Sequence, residues 1–177
     1  LPPDYVERLR EPVLLRLLAE SLQAKPMPSQ AMDFDALVFQ RYFEQRVRRR
    51  EDQAFVDDLA AEMLAQRSAT LPLQSLLAHP RLGPALDGDG PGGGESPLAR
   101  LLDDAVLGEM RGNLFEDDRL RFTYPQIGAY ALVRVTLRRA GVPLLQAACE
   151  LAAAADALPL AWEAALTLLV LRGDAAT

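Results

Sequence analysis

Apolar residues recur every three or four positions along most of this chain, the spacing of helices that bury one face. Between Tyr5 and Leu22 the pattern is split by Pro12. A residue before proline avoids helical backbone, so Glu11 is expected to separate two helices. Pro12 then falls in the first turn of the second helix, where its missing N–H costs nothing, and Val13, Leu14, Leu17 and Leu18 form a buried stripe. Lys25 to Gln30, with Pro26 and Pro28, reads as a connector. Asp33 is an expected N-cap for a helix carrying Phe34, Leu37, Val38, Tyr42 and Phe43. The basic run Arg46, Arg48, Arg49 and Arg50 suits that helix's C-terminus, where cations meet the negative end of the dipole. Glu51 and Asp52 then suit the N-terminus of a helix with Phe55, Val56, Leu59, Ala60, Met63 and Leu64 on one face.

A shorter helix is expected over Leu71 to Ala78. The stretch from Asp87 to Ser96 holds five glycines and one proline in ten residues and reads as a flexible surface loop. Ser96 followed by Pro97 signals a helix start, with Leu98, Leu101, Leu102, Ala105 and Val106 on the helix behind it. Met110 to Phe115 and Arg119 to Tyr124 flank the acidic turn Glu116, Asp117, Asp118 as a β-hairpin. Pro125 opens a helix to Ala140 whose apolar residues lie on most sides, the mark of burial on more than one face. Gly141 and Pro143 end it, and two more helices, Leu144 to Ala155 and Leu160 to Leu171, are separated by Pro159.

The expected fold is therefore all-α with one small β-hairpin. It comprises a helical bundle over 1–68, a module over 71–140 with a Gly-rich loop at 87–96, and a helical pair over 141–177. The order helix, helix, hairpin, helix between Leu71 and Ala140 is compatible with a winged helix, and the final pair with the start of a helical repeat array.

Composition agrees with a helical chain. The 177 residues include 33 leucines and 28 alanines, the best helix formers, against a single isoleucine, Ile127. The apolar stretch from Leu151 to Leu171 is interrupted by Asp156, Pro159 and Glu163, so packed helices are expected there and no membrane span. The chain starts at Leu1, Pro2 and Pro3 without an initiating Met, as an excised or processed piece does. One cysteine, Cys149, excludes an internal disulfide and a Cys-based zinc site, and a reducing, cytoplasmic compartment is expected. With one histidine, His79, no metal cluster or catalytic triad is indicated, so no catalytic and no metal residue is assigned.

The remaining constellations have plain readings. Gly88 to Ser96 lacks the Lys of a phosphate loop and reads as a linker. The pairs Asp57 with Asp58 and Asp103 with Asp104 cannot converge alone, since adjacent helical residues point about 100° apart, and these and Asp117 with Asp118 in the turn read as solvated. His79, next to Pro80, reads as a loop or capping residue, and Cys149 as a core thiol. A net charge of −6 opposes nucleic-acid binding. The helix before the hairpin sets Arg100 against Asp103, Asp104 and Glu109, and the wing sets Arg111, Arg119 and Arg121 against Glu116, Asp117 and Asp118. The cluster Arg46, Arg48, Arg49 and Arg50 remains a candidate anion or partner patch.

Three segments, taken in order, carry a resemblance: Leu9-Arg-Glu-Pro12-Val-Leu-Leu-Arg-Leu-Leu18, Phe39-Gln-Arg-Tyr-Phe43, and Leu120-Arg-Phe-Thr-Tyr-Pro-Gln-Ile-Gly-Ala-Tyr-Ala131. Together they resemble the helical lid and winged-helix region downstream of the P-loop core in STAND-class signalling ATPases of the NACHT and NB-ARC type, bacterial members especially. The resemblance implies that Pro12 contacts the adenine side of a bound nucleotide. It also implies that Phe122 and Tyr124 pack the hairpin to its following helix, and that Arg121 makes an exposed interdomain contact. Relatives keep a Met-His-Asp motif where this chain has Thr123, Tyr124 and Pro125, so the phosphate-sensing histidine is absent. Walker A and Walker B elements belong upstream, so no cofactor is expected in this piece, and ATP or ADP with magnesium belongs to the whole protein. By the same resemblance the chain is a regulatory segment, not itself an enzyme. It would couple nucleotide state to domain rearrangement and oligomerisation in bacterial antiviral defence, with the P-loop domain and downstream repeats of the same protein as its partners. The alternative is a helical or winged-helix adaptor that binds protein or DNA without nucleotide.

Overall fold

The computed structural model describes residues 34–86, 95–113, 116–138 and 142–174, with side chains over 38–167, and the single residues Pro12, Leu15, Arg16 and Ala19. The chain divides into two compact units, Leu1–Arg46 and Val47–Thr177. The stripe of Val13, Leu14, Leu17 and Leu18, the connector around Pro26 and Pro28, the Asp33 cap and most of the glycine-rich loop lie outside the described residues.

In the first unit, helix α1 spans Phe34–Arg46. Val38, Phe39, Tyr42 and Phe43 are buried, the three-and-four spacing that the sequence displays. Arg46 lies over the Tyr42 ring, 5.6 Å from its centroid, a cation–π contact one helical turn apart. Pro12, Leu15, Arg16 and Ala19 are helical and exposed.

The second unit is a helical assembly around one small sheet. Helix α2 covers Arg50–Gln66, strand β1 Leu71–Pro72, α3 Leu73–Leu77, α4 Gly83–Leu86 and α5 Pro97–Asp103. Strands β2, Leu107–Met110, and β3, Arg119–Phe122, precede α6, Pro125–Arg138, and the chain continues through α7, Leu144–Ala154, and α8, Leu160–Asp174. The three strands are antiparallel in the order β1-β3-β2. Leu71 pairs with Leu120 and Pro72 with Arg119; on the other side Leu107 pairs with Phe122, Gly108 with Arg121, and Met110 with Arg119.

Two expectations change here. Leu71 and Pro72 start no helix: they form an edge strand, because Leu71 is completely buried against the sheet and Pro72 cannot donate a ladder hydrogen bond, which an edge tolerates. The Leu73 N–H donates to the Asp118 carbonyl at 2.7 Å and ties the start of α3 to the residue ahead of β3. The first hairpin strand also begins earlier than periodicity placed it, at Leu107 and not Met110, while the second begins at Arg119 as expected. Helix α5 stops at Asp103, and the chain reverses at Ala105, whose φ of 54 is left-handed. The Ala105 N–H meets the Leu102 carbonyl and the Val106 N–H the Leu101 carbonyl, a Schellman closure with buried Leu101 and Val106 at its two ends. Strand β2 can therefore start at Leu107.

Helix α2 runs against α6 and α5, and α8 packs on α7 and α6. Helix α6 is central: Ile127, Gly128, Ala129, Ala131, Leu132, Val133 and Thr136 are all buried, as its all-round apolar pattern requires. The one buried hydroxyl among these, Thr136 Oγ1, donates to the Leu132 carbonyl at 2.7 Å, so no donor is stranded. Ser96 caps α5 as expected, its Oγ accepting from the Ala99 N–H at 3.1 Å with Pro97 in the first turn.

Candidate functional site

Period-two alternation decides how the hairpin meets its surroundings. Leu107, Leu120 and Phe122 turn inward and are buried, whereas Gly108, Met110, Arg119 and Arg121 occupy the opposite face. The Phe122 ring lies against α6 so closely that a Cβ on Gly128 would stand 2.8 Å from Phe122 Cδ2. The Tyr124 carbonyl accepts from the N–H groups of Ile127 at 3.0 Å and Gly128 at 3.4 Å, which closes the first turn of α6. Phe122 and Tyr124 thus sit where the hairpin joins the next helix, and Arg121 stands exposed on the outer face. Thr123, between them, has a buried Oγ1 with no hydrogen-bond partner among the described residues.

Arg100, the cation of the helix ahead of the hairpin, is not displayed to solvent. Its Nε lies 3.1 Å from Asp52 Oδ1 and 3.4 Å from Oδ2, its Nη2 lies 2.5 Å from Oδ1, and its Nη1 donates to the Glu95 carbonyl. Glu51 adds a contact at 3.5 Å. The Asp52 hydrogen bond, assisted by the surrounding carboxylates, holds the guanidinium above its usual range despite opposing desolvation. Asp103 is exposed and Asp104 half-buried on the same helix end, and Glu109 is exposed on β2. The surface offered by α5 is therefore acidic.

The acidic pairs behave differently from one another. Asp117 and Asp118 are exposed at the hairpin turn, and Asp118 Oδ1 accepts from the Gly112 N–H at 2.8 Å. Asp57, expected to be solvated, is buried: its Oδ2 receives Arg138 and, at 3.5 Å, Arg134, both from α6. Its Oδ1 has no hydrogen-bond partner among the described residues. Asp58 pairs with Arg81 at 2.5 Å. Asp52 is likewise buried, at 4% exposure. Nothing local marks Asp52 or Asp57, because their partners lie 48 to 81 positions away.

The basic run is divided. Arg46 ends α1, Arg48 and Arg49 lie in the turn, and Arg50 is the first residue of α2, where its charge opposes the helix dipole. The placement of all four at one helix C-terminus is thereby corrected. Arg48, Arg49 and Arg50 are exposed. His79 acts as a capping residue: its Nδ1 accepts from the Arg81 and Leu82 N–H groups at 3.3 and 3.2 Å, and its Nε2 lies 3.6 Å from Glu62. Cys149, expected in the core, is exposed on α7, whose buried side is Ala147, Ala148, Leu151 and Ala154. Pro12 is exposed on its helix.

Among the described residues no three His, Cys, Asp or Glu side chains converge as a metal site, and no helix is long and apolar enough to cross a membrane. The hairpin is anchored to α6 through Phe122, which lies against Gly128. Comparison with protein-family models, with curated proteins and with solved structures found no match for this chain.

Proposed function

We propose that residues 50–138 form a winged-helix module that works by protein contact, as the regulatory segment of a STAND-type signalling ATPase. The observation that carries the module is the chain path: helix α2, edge strand β1, helices α3 to α5, then β2 and β3, with β3 central in the order β1-β3-β2. That path joins an edge strand to a hairpin across intervening helices, the arrangement of winged helices. Against DNA readout stands the occupation of Arg100 by Asp52, which leaves Asp103 and Asp104 as the charges at the end of the would-be recognition helix, with Glu109 on the strand beyond it. The antiparallel pair α7 and α8, with Leu145, Trp162 and Leu166 exposed, supports the start of a helical repeat. The nucleotide-dependent part rests on the sequence resemblance at Pro12 and at Arg121 to Tyr124. In it, ATP or ADP with magnesium is held by an upstream P-loop domain, Pro12 touches the base, and the module moves with nucleotide state.

Two tests apply. The native reading frame upstream of Leu1 is expected to encode a Walker A motif, and its absence overturns the ATPase assignment. A fluorescent DNA duplex titrated at about 50 mM salt, where phosphate contacts are strong, is expected to bind no better than weakly. Tight binding there would favour a DNA-binding adaptor without nucleotide.

A further inference from the structure

The outer face of the three-stranded sheet carries two arginines, Arg119 and Arg121, that meet no carboxylate among the described residues. Arg119 lies in the central strand, between Pro72 on β1 and Met110 on β2, and Arg121 lies opposite Gly108. Elsewhere in the second unit, arginines meet carboxylates: Arg81 meets Asp58, Arg100 meets Asp52, and Arg134 and Arg138 meet Asp57. Arg119 is held instead by neutral groups, its Nε donating to Thr70 Oγ1 at 2.8 Å and its Nη2 to the Thr70 carbonyl at 3.1 Å. These bonds fix the guanidinium and leave its charge uncancelled. Arg121 is exposed, and among the described residues it has no hydrogen-bond or ion-pair partner. Met110 is 41% exposed beside Arg119. Gly108 leaves the sheet bare next to Arg121: a Cβ there would touch only Thr123 Oγ1, at 3.5 Å.

We infer that this face docks an extended acidic protein segment. Arg119 and Arg121 are two residues apart on one strand, so their side chains leave the sheet about 7 Å apart. A strand-like segment with carboxylates at alternate positions has the same repeat. Pro72 and Met110 offer apolar contact on either side of Arg119, and the bare floor at Gly108 lets the incoming chain approach the sheet beside Arg121. A nucleic acid fits this face less well. Its phosphates continue past the pair, towards Glu116, Asp117 and Asp118, all exposed at the turn of the same hairpin. The inference rests on the reading that the hairpin works by protein contact, and it names the chemistry of that partner.

The test uses the whole chain and a fluorescein-labelled peptide of alternating Glu and Thr, about eight residues long, the length of an ordinary strand. Anisotropy is followed at about 50 mM salt, where charge pairing is least screened. Arg121→Glu is expected to weaken binding about tenfold or more, while Arg67→Glu, at an exposed arginine ending α2 and outside the sheet, leaves it unchanged. Arg121→Ala is expected to fall between, and circular dichroism should show both Arg121 variants folded, since that exposed side chain holds no partner among the described residues. Equal affinity in Arg121→Glu and the parent, or equal weakening by Arg67→Glu, overturns the proposal. A duplex that binds more tightly than the peptide and is lost in Arg121→Glu overturns it in favour of nucleic acid, together with the protein-contact function. An upstream frame without Walker A removes the ATPase reading and leaves the peptide result standing.

Discussion

Arg100 on α5 and Asp52 in the first turn of α2 form a two-pronged ion pair with both side chains almost entirely removed from water, 11% and 5% exposed. The pair staples the helix before the hairpin to the helix that opens the second unit. Removing one partner strands the other as a buried charge. Asp52→Ala or Arg100→Met is expected to cost about 3 kcal/mol, whereas Asp52→Leu combined with Arg100→Met should come within about 1 kcal/mol of the parent. Urea denaturation of the three variants checks this; equal losses in the single and double changes would show that the stranded charge is not the cause.

Two αL helix closures among the described residues use residues with side chains. Ala105 has φ 54 and Arg67 φ 50, and the Arg67 N–H and Ser68 N–H reach the Leu64 and Met63 carbonyls as in the α5 closure. A left-handed backbone costs an L-residue about 1–2 kcal/mol that glycine avoids. Part of the gain is lost to glycine's greater freedom in the unfolded chain. Ala105→Gly is therefore expected to raise the melting temperature by about 2 °C, the shift expected from somewhat under 1 kcal/mol in a domain of this size. Calorimetry reads it directly, and a lowered melting point would contradict the αL assignment.

Gly128 sets propensity against sterics. Alanine in mid-helix normally stabilises by about 1 kcal/mol over glycine, but here the added methyl meets Phe122 Cδ2 at 2.8 Å, Phe122 Cγ at 3.2 Å and Leu160 Cδ2 at 3.4 Å. Overpacking costs about 1–3 kcal/mol, so Gly128→Ala should destabilise on balance. In the background Phe122→Leu, where the ring edge is gone, the same change should become neutral or favourable. A double-mutant cycle by thermal melting measures that coupling.

Desolvation of the Glu163 carboxyl, in the first turn of α8, pushes it above its ordinary value of 4.5. A carboxyl raised in the folded state binds its proton more tightly there than in the unfolded chain. Its contribution is thus fully present at low pH and lost as pH rises through the raised value. Glu163→Gln should flatten the fall of stability above pH 4.5 that this one group causes. Melting temperatures across that range for parent and variant are the measurement, and an unchanged slope would rule the effect out.

Cys149 projects from α7 into solvent. Ellman's reagent should titrate one thiol in the folded protein, and Cys149→Ser should abolish the reaction while leaving stability within about 0.5 kcal/mol. A thiol that reacts only after denaturant is added would place it back in the core.

Helices α1, α2 and α5 to α8 were legible in the sequence, since their apolar spacing is local, as was the Ser96 cap. Which face Arg121 and Phe122 take was not read from the pattern: on β3 they point oppositely, and Phe122 is the one that meets a helix. Strand β1 was not legible either. Two residues carry no period, and Leu71 becomes a strand only because Leu120 on β3 is there to pair with it. Cys149 fell on the wrong side for a related reason: in an Ala-rich helix nearly every face is apolar, and the position of α8 and α6 chooses the buried one.

Propensity, capping and periodicity act within a few residues, so most of the helices and the net acidic charge follow from local sequence, though the Leu71 strand and the reversal at Ala105 do not. Which charges remain to act is set by the fold. Asp52 and Asp57 read as ordinary surface acids until folding brings Arg100, Arg134 and Arg138 to them across 48, 77 and 81 positions. Arg119 and Arg121 are no different in sequence from those arginines, yet the sheet turns them to a face that lacks such carboxylates among the described residues. The physical reason is that burial and ion pairing depend on distance in space, which a one-dimensional pattern carries only between near neighbours.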